Sequence, residues 1–139
     1  TMGTQNAVNN SGQETIAYCF HSVDGYSKFG SYTGNGNADG PMVYTGFRPA
    51  FTILKRTDAS GRSWIMQDSA RSPTNPVFIE NDAESSATEY SSNASSGYNV
   101  DYVSNGFKIR TTNVNWNASG GSYIFLAFAE QPFKYSNAR

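Results

Sequence analysis

The sequence predicts an all-β protein, an antiparallel β-sandwich of jelly-roll or lectin-like kind with about eight short strands. Three observations lead there. Apolar residues alternate with a period of two in several short runs. Turn-forming residues, among them 13 Gly and 5 Pro, separate those runs. No stretch carries helical periodicity, and short strands between frequent turns pack as two antiparallel layers. With 139 residues there is material for one core. The expected organisation is a polar linker over 1–13 from an upstream region, one domain over 14–135, and a tail over 136–139.

The most punctuated stretch is Lys28 to Pro49, which holds five glycines and two prolines between short aromatic runs and must fold as tight turns joining strands. In chain order, Glu14–Phe20 reads as the first strand, with Ile16, Tyr18 and Phe20 on one face. Asp24-Gly25 signals a turn before a strand at Tyr26–Tyr32. After the glycine-rich loop of Thr33–Gly40, a short strand at Pro41–Tyr44 starts on a proline, where a missing donor does least harm. Ala50–Arg56 and Ser63–Gln67 form a hairpin across Asp58–Gly61, with Trp64 and Met66 sharing a face. Ser69–Asn99 is polar apart from Val77–Ile79 and is expected to be a long surface excursion, the kind of segment that often carries function. Val100–Val103 and Phe107–Arg110 flank an Asn105-Gly106 turn. Thr111–Gly121 is a polar loop around Trp116. Ser122–Glu130 is apolar on both faces and belongs in the middle of a sheet.

Composition narrows the function classes. A net charge of −1 with scattered basic residues provides no stripe for phosphate contacts, which argues against nucleic acid. No apolar run approaches a membrane span, so no membrane insertion is expected. Nine Phe, nine Tyr and two Trp need burial or partners, which argues against disorder. Cys19 is the single cysteine, so the chain can form neither an internal disulfide nor a cysteine-based zinc site.

Five constellations are candidates for chemistry. Glu80, Asp82 and Glu84 have the alternate spacing that lines up carboxylates for glycan cleavage, although the apolar residues that would hold such a strand down are missing, and a solvated acidic loop is the default. Cys19 and His21 would share a strand face as thiolate and base, without a third orienting group. Asn35, Asn37 and Asp39 place oxygens at alternate positions before Gly40, like the start of a calcium loop, but Gly46 stands where a bidentate Glu is required. Asn93 and Asn117 open glycosylation triplets. Trp116 among Asn113, Asn115 and Asn117 sets an aromatic face beside amides, the elements of sugar stacking; the competing reading folds the indole over the core. These four residues are the candidate ligand site. No catalytic residue, metal or cofactor is expected.

Several segments carry a family resemblance. They are Tyr18-Cys-Phe20, Gly25-Tyr-Ser-Lys-Phe-Gly-Ser-Tyr-Thr-Gly-Asn-Gly36, Ala38-Asp-Gly-Pro41, Val43-Tyr-Thr-Gly-Phe-Arg-Pro49, Lys55-Arg-Thr-Asp58, Asp68-Ser-Ala-Arg71, Ser104-Asn-Gly-Phe-Lys-Ile-Arg110 and the run from Tyr123 through Ala127-Phe-Ala-Glu130 to Phe133. In these the chain resembles a family of domains in structural proteins of marine bacteriophages, tail-fibre-like virion proteins of undefined function. The segment from Ser72 to Asn99 departs from the pattern. The resemblance implies a non-enzymatic β-sandwich virion module that forms a homo-oligomer, trimer favoured. Its implied partners are other virion proteins and a host-surface glycan. Two further readings stay open, a free-standing lectin-like domain and a small glycan hydrolase.

Overall fold

A computed structural model describes residues 10–90 and 97–131. Eight strands fall in two antiparallel sheets. They are β1 (Ser27–Thr33), β2 (Met42–Tyr44), β3 (Pro49–Arg56), β4 (Ile65–Asp68), β5 (Glu80–Asp82), β6 (Val100–Val103), β7 (Gly106–Ile109) and β8 (Ser122–Ala129), with one helical turn, α1 (Val114–Asn117), before β8. One sheet has the order β1-β8-β3-β4-β5 and the other β2-β7-β6. The chain is an all-β sandwich, as its alternation and turns predict.

The core lies between the sheets. Leu54, Ile65, Tyr123, Phe125 and Ala127 come from the larger sheet; Val43, Val100, Tyr102, Phe107 and Ile109 come from the smaller, and all are buried. Phe107 meets Phe125 edge-on at 5.4 Å across the layers. A polar thread crosses beside them. The Thr52 hydroxyl lies 2.6 Å from that of Tyr102, which donates to the Gln67 carbonyl at 3.1 Å, so Thr52 is the donor of the first bond.

β8 pairs with β1 on one edge and β3 on the other; its inner face meets the core, and on its outer face Phe128 packs against Phe20, Phe29 and Phe51, so both faces are apolar. Its inner residues Tyr123, Phe125 and Ala127 fill the core. Its outer residues form rows with the neighbouring strands: Met66, Ile53, Leu126 and Phe29 stand side by side across four strands. The β6–β7 hairpin pairs Val103 with Gly106, so Ser104 and Asn105 make the turn and Gly106 is already in the strand. Glycine is required there because an added Cβ would lie 2.0 Å from the Val43 carbonyl of β2.

Two expectations need correction. Glu14–Phe20 forms no strand: it enters neither sheet, and its large side chains are exposed. The hydroxyls of Ser22 and Ser27 occupy the positions where a ladder to β1 would continue. Ser69–Asn99 is not a free excursion over its described part. Val77 bridges Val100, the Asn75 side chain bonds both the N–H and the C=O of Tyr102 at 2.9 Å, and β5 extends the larger sheet. In β4 the buried face is Ile65 and Gln67, while Trp64 and Met66 point to the outer side, where the Lys55 ammonium lies 5.5 Å from the Trp64 ring centre. The first nine residues of the expected linker, the expected 136–139 tail and Asn93 lie outside the described residues. Among the described residues, no helix is long and apolar enough to cross a membrane.

Candidate functional site

The residues predicted to hold a sugar build a structural lock instead. Trp116 is 1% exposed and Asn117 is fully buried, so the indole offers no stacking face. Asn113 caps α1, its side-chain oxygen accepting from the Asn115 N–H at 2.9 Å. Asn115 accepts from Arg62 at 2.9 Å. The Asn117 amide nitrogen donates to Asn35 Oδ1 at 3.0 Å, the Asn37 carbonyl at 2.7 Å and the Thr111 carbonyl at 2.9 Å; its oxygen accepts from the Asn35 N–H at 2.7 Å. Two glycines make room for it. A Cβ on Gly40 would lie 2.9 Å from the Asn117 amide nitrogen, and one on Gly34 would lie 2.3 Å from the Ala118 carbonyl. Asn117 is therefore no glycosylation acceptor in the folded chain. An Asn one residue ahead of an apolar turn reads equally as a cap, and that signal was available in Asn113.

The calcium-like loop spends its oxygens internally. Asn35 Oδ1 accepts from the Asn37 N–H and Asn37 Oδ1 from the Asp39 N–H, both at 2.9 Å, which are Asx turns. The Asp39 carboxylate faces Lys108 at 2.9 Å and Arg110 at 3.2 Å, and the bond from Lys108 holds its pKa below the ordinary carboxylate value. Among the described residues, no group of three or more His, Cys, Asp or Glu could hold a metal ion. Cys19 and His21 lie on no strand, and His21 Nδ1 donates to the Ser22 carbonyl at 2.8 Å.

The three acids divide. Glu84 lies beyond the end of β5 and accepts from the Trp64 N–H at 3.0 and 3.2 Å. Glu80 sits on β5 opposite Gln67, 4% exposed, with Oε2 unpartnered. The Trp116 indole N–H lies close enough to favour its charged form slightly, without closing a full hydrogen bond. Burial, with the Asp82 charge second, pushes the Glu80 carboxyl up to about 7.

Openings lie at another place. A cleft of about 310 Å³ sits where the turn before β1 meets the end of β2, with Ser22, Asp24, Lys28, Tyr44 and Thr45 on its walls. Tyr44 is 67% exposed. Gly46 joins this cleft to a neighbour of about 420 Å³ lined by Gly25, Phe47, Ser104 and Gln131. Gly46 has φ +87°, and a Cβ there would fall 3.7 Å from the Tyr44 hydroxyl, so the ring lies near the bend. Sequence reasoning passed over Tyr44 because a three-residue strand shows too little alternation to mark its outward side. Its place two residues before a glycine was the available signal.

Fold and cleft define a small β-sandwich domain with shallow, polar, aromatic-edged openings at one end. The chain belongs to the family described as Domain of unknown function (DUF7483), which matches residues 1–132. No curated protein and no solved structure matches the chain.

Proposed function

We propose that this domain is a non-enzymatic structural module of a phage virion, tail-fibre-like in kind. In this reading it forms a homo-oligomer, trimer favoured, contacts other virion proteins, and binds a host-surface glycan through the cleft beside Tyr44. The observation that carries the glycan is an exposed tyrosine ring on the same cleft as hydroxyl, carboxylate and ammonium groups. A pyranose presents a C–H face to a ring and hydroxyls to fixed polar groups, so these are complementary surfaces. The cleft is small and open, which suits a weak site made effective by several copies on one fibre. Among the described residues Asp24 is the one carboxylate on its walls, where glycoside hydrolysis uses two, and Glu80 is shut inside the sandwich.

Labelled protein on a glycan array tests the site. Binding that falls at least tenfold on Tyr44→Ala is expected; an array without hits, or Tyr44→Ala binding unchanged, removes the glycan role. The genes flanking the reading frame test the setting. Tail-assembly genes agree with a virion module, and a metabolic operon overturns it in favour of a free-standing lectin-like domain.

A further inference from the structure

We propose that Glu14–Cys19 is a strand donated to a second copy of this chain, where it pairs with the free edge of β1. This rests on the homo-oligomeric reading above and names its contact. The donor has strand chemistry and no ladder of its own. Ile16 and Tyr18 are 78% and 81% exposed at alternate positions, followed by Phe20 at 59%. Phe20 is the pivot, stacked on Phe29 at 5.6 Å and edge-on to Phe128 at 6.4 Å on the outer face of the larger sheet.

Pairing within the same copy is blocked by two serines. Val23 and Ser27 exchange backbone bonds of 3.0 and 2.9 Å, the first rung of an antiparallel hairpin. The next rung would carry the Phe29 N–H to the His21 carbonyl. Instead the Phe29 N–H donates to Ser22 Oγ at 3.1 Å, and the His21 carbonyl accepts from Ser27 Oγ at 3.2 Å. The hydroxyls consume the rung, and the arm leaves its own edge.

The acceptor lies just beyond. By alternation, the N–H groups of Ser31 and Thr33 point to the same free side as those of Ser27 and Phe29. Both residues are exposed, and neither N–H has a partner on that side among the described residues. An unpaired edge is a template for a strand from another chain. A strand arriving there with alternating apolar side chains would extend the outer row of Met66, Ile53, Leu126 and Phe29, and bury Ile16 and Tyr18. Each copy has one donor and one acceptor, so any closed ring, a trimer included, satisfies every arm.

Tyr18 would share the outer face with Ser31 of the partner copy, so a thiol placed there, with Cys19, the single cysteine, replaced, reports the contact. A chain carrying Cys19→Ser and Tyr18→Cys is mixed with a heavier-tagged copy carrying Cys19→Ser and Ser31→Cys and oxidised with diamide. A disulfide-linked pair of unequal mass is expected, at several times the yield given by a Cys19→Ser, Ser85→Cys partner, whose cysteine lies past the opposite sheet edge. Ile16→Asp added to the donor should abolish the pair while leaving the far-ultraviolet circular dichroism spectrum unchanged. Equal yield at Ser85→Cys, no cross-link at either position, or full yield with Ile16→Asp overturns the donated strand. Sedimentation separates the two failures: oligomers without the cross-link leave the oligomeric reading standing, whereas monomers alone overturn both.

Discussion

Single side chains decide two measurable properties of this domain. Asn117 ties the glycine-rich loop to the loop before β8 through one side-chain amide whose donor and acceptor sides are both used. Asn117→Asp keeps the shape and replaces the donors by an acceptor facing two carbonyls and an amide oxygen. Leaving buried groups unsatisfied costs about 1–3 kcal/mol, more for a charge, so urea unfolding of Asn117→Asp should show a loss of at least that size. Full stability in that variant would mean the lock is unimportant. Glu80 acts in the opposite sense. Its folded pKa of about 7 lies above the ordinary carboxylate value of 4.5. The folded state therefore holds the proton more tightly, and the contribution to stability is complete below about pH 4.5 and lost as pH rises through about 7. Glu80→Gln removes the titration. Its urea midpoint should vary less between pH 5 and pH 8 than that of the unmodified chain, and it should be the more stable of the two at pH 8, by on the order of 2 kcal/mol. An unchanged pH profile would show that Glu80 is already ionised at no cost.

At the scale of elements, close backbone approach sets the limits. Gly106 lets β2 lie against β7, because a Cβ would meet the Val43 carbonyl at 2.0 Å, whereas a Cβ on Gly61 meets nothing within 4 Å. Gly106→Ala must displace β2 and should cost roughly 2–3 kcal/mol, as overpacking against a fixed neighbour does. Gly61→Ala, at φ +65°, carries the left-handed penalty alone, about 1 kcal/mol. Thermal melts of the pair check the order, and a larger loss at Gly61 would contradict it. Strands with several apolar residues in a row were legible in the sequence, β3 and β8 above all, because the core fills the inner face of each. β5 was not, since Glu80, Asn81 and Asp82 contain no apolar residue; the strand exists through its pairing with β4. Glu14–Phe20 shows the converse, an alternating run whose ladder is interrupted by hydroxyls outside the run. The Trp116 site failed for a similar reason. Asparagines around a tryptophan describe a ligand cradle and a buried cap equally well, and which one forms depends on glycines about eighty residues away, Gly34 and Gly40.

Across the whole molecule, both sheets depend on one core. A three-stranded sheet as short as β2-β7-β6 needs a packed apolar face to persist in water. Its inner residues Val43, Tyr102, Phe107 and Ile109 find that face only against Leu54, Tyr123 and Phe125 of the other sheet. The chain also alternates between layers, with β3, β4 and β5 lying in sequence between β2 and β6, so neither sheet is a continuous segment that could fold first. Unfolding should therefore be one cooperative transition. Ile109→Ala in the smaller sheet and Leu54→Ala in the larger each remove a fully buried side chain and should cost about 2–5 kcal/mol. In both variants, Trp fluorescence and far-ultraviolet circular dichroism should shift together to the same lower urea midpoint. Trp64 precedes β4 and the Trp116 indole N–H lies beside Glu80 of β5, so the fluorescence reports the larger sheet. Divergence of the two signals in Ile109→Ala alone would show that the smaller sheet melts as a separate unit, and would refute the single core.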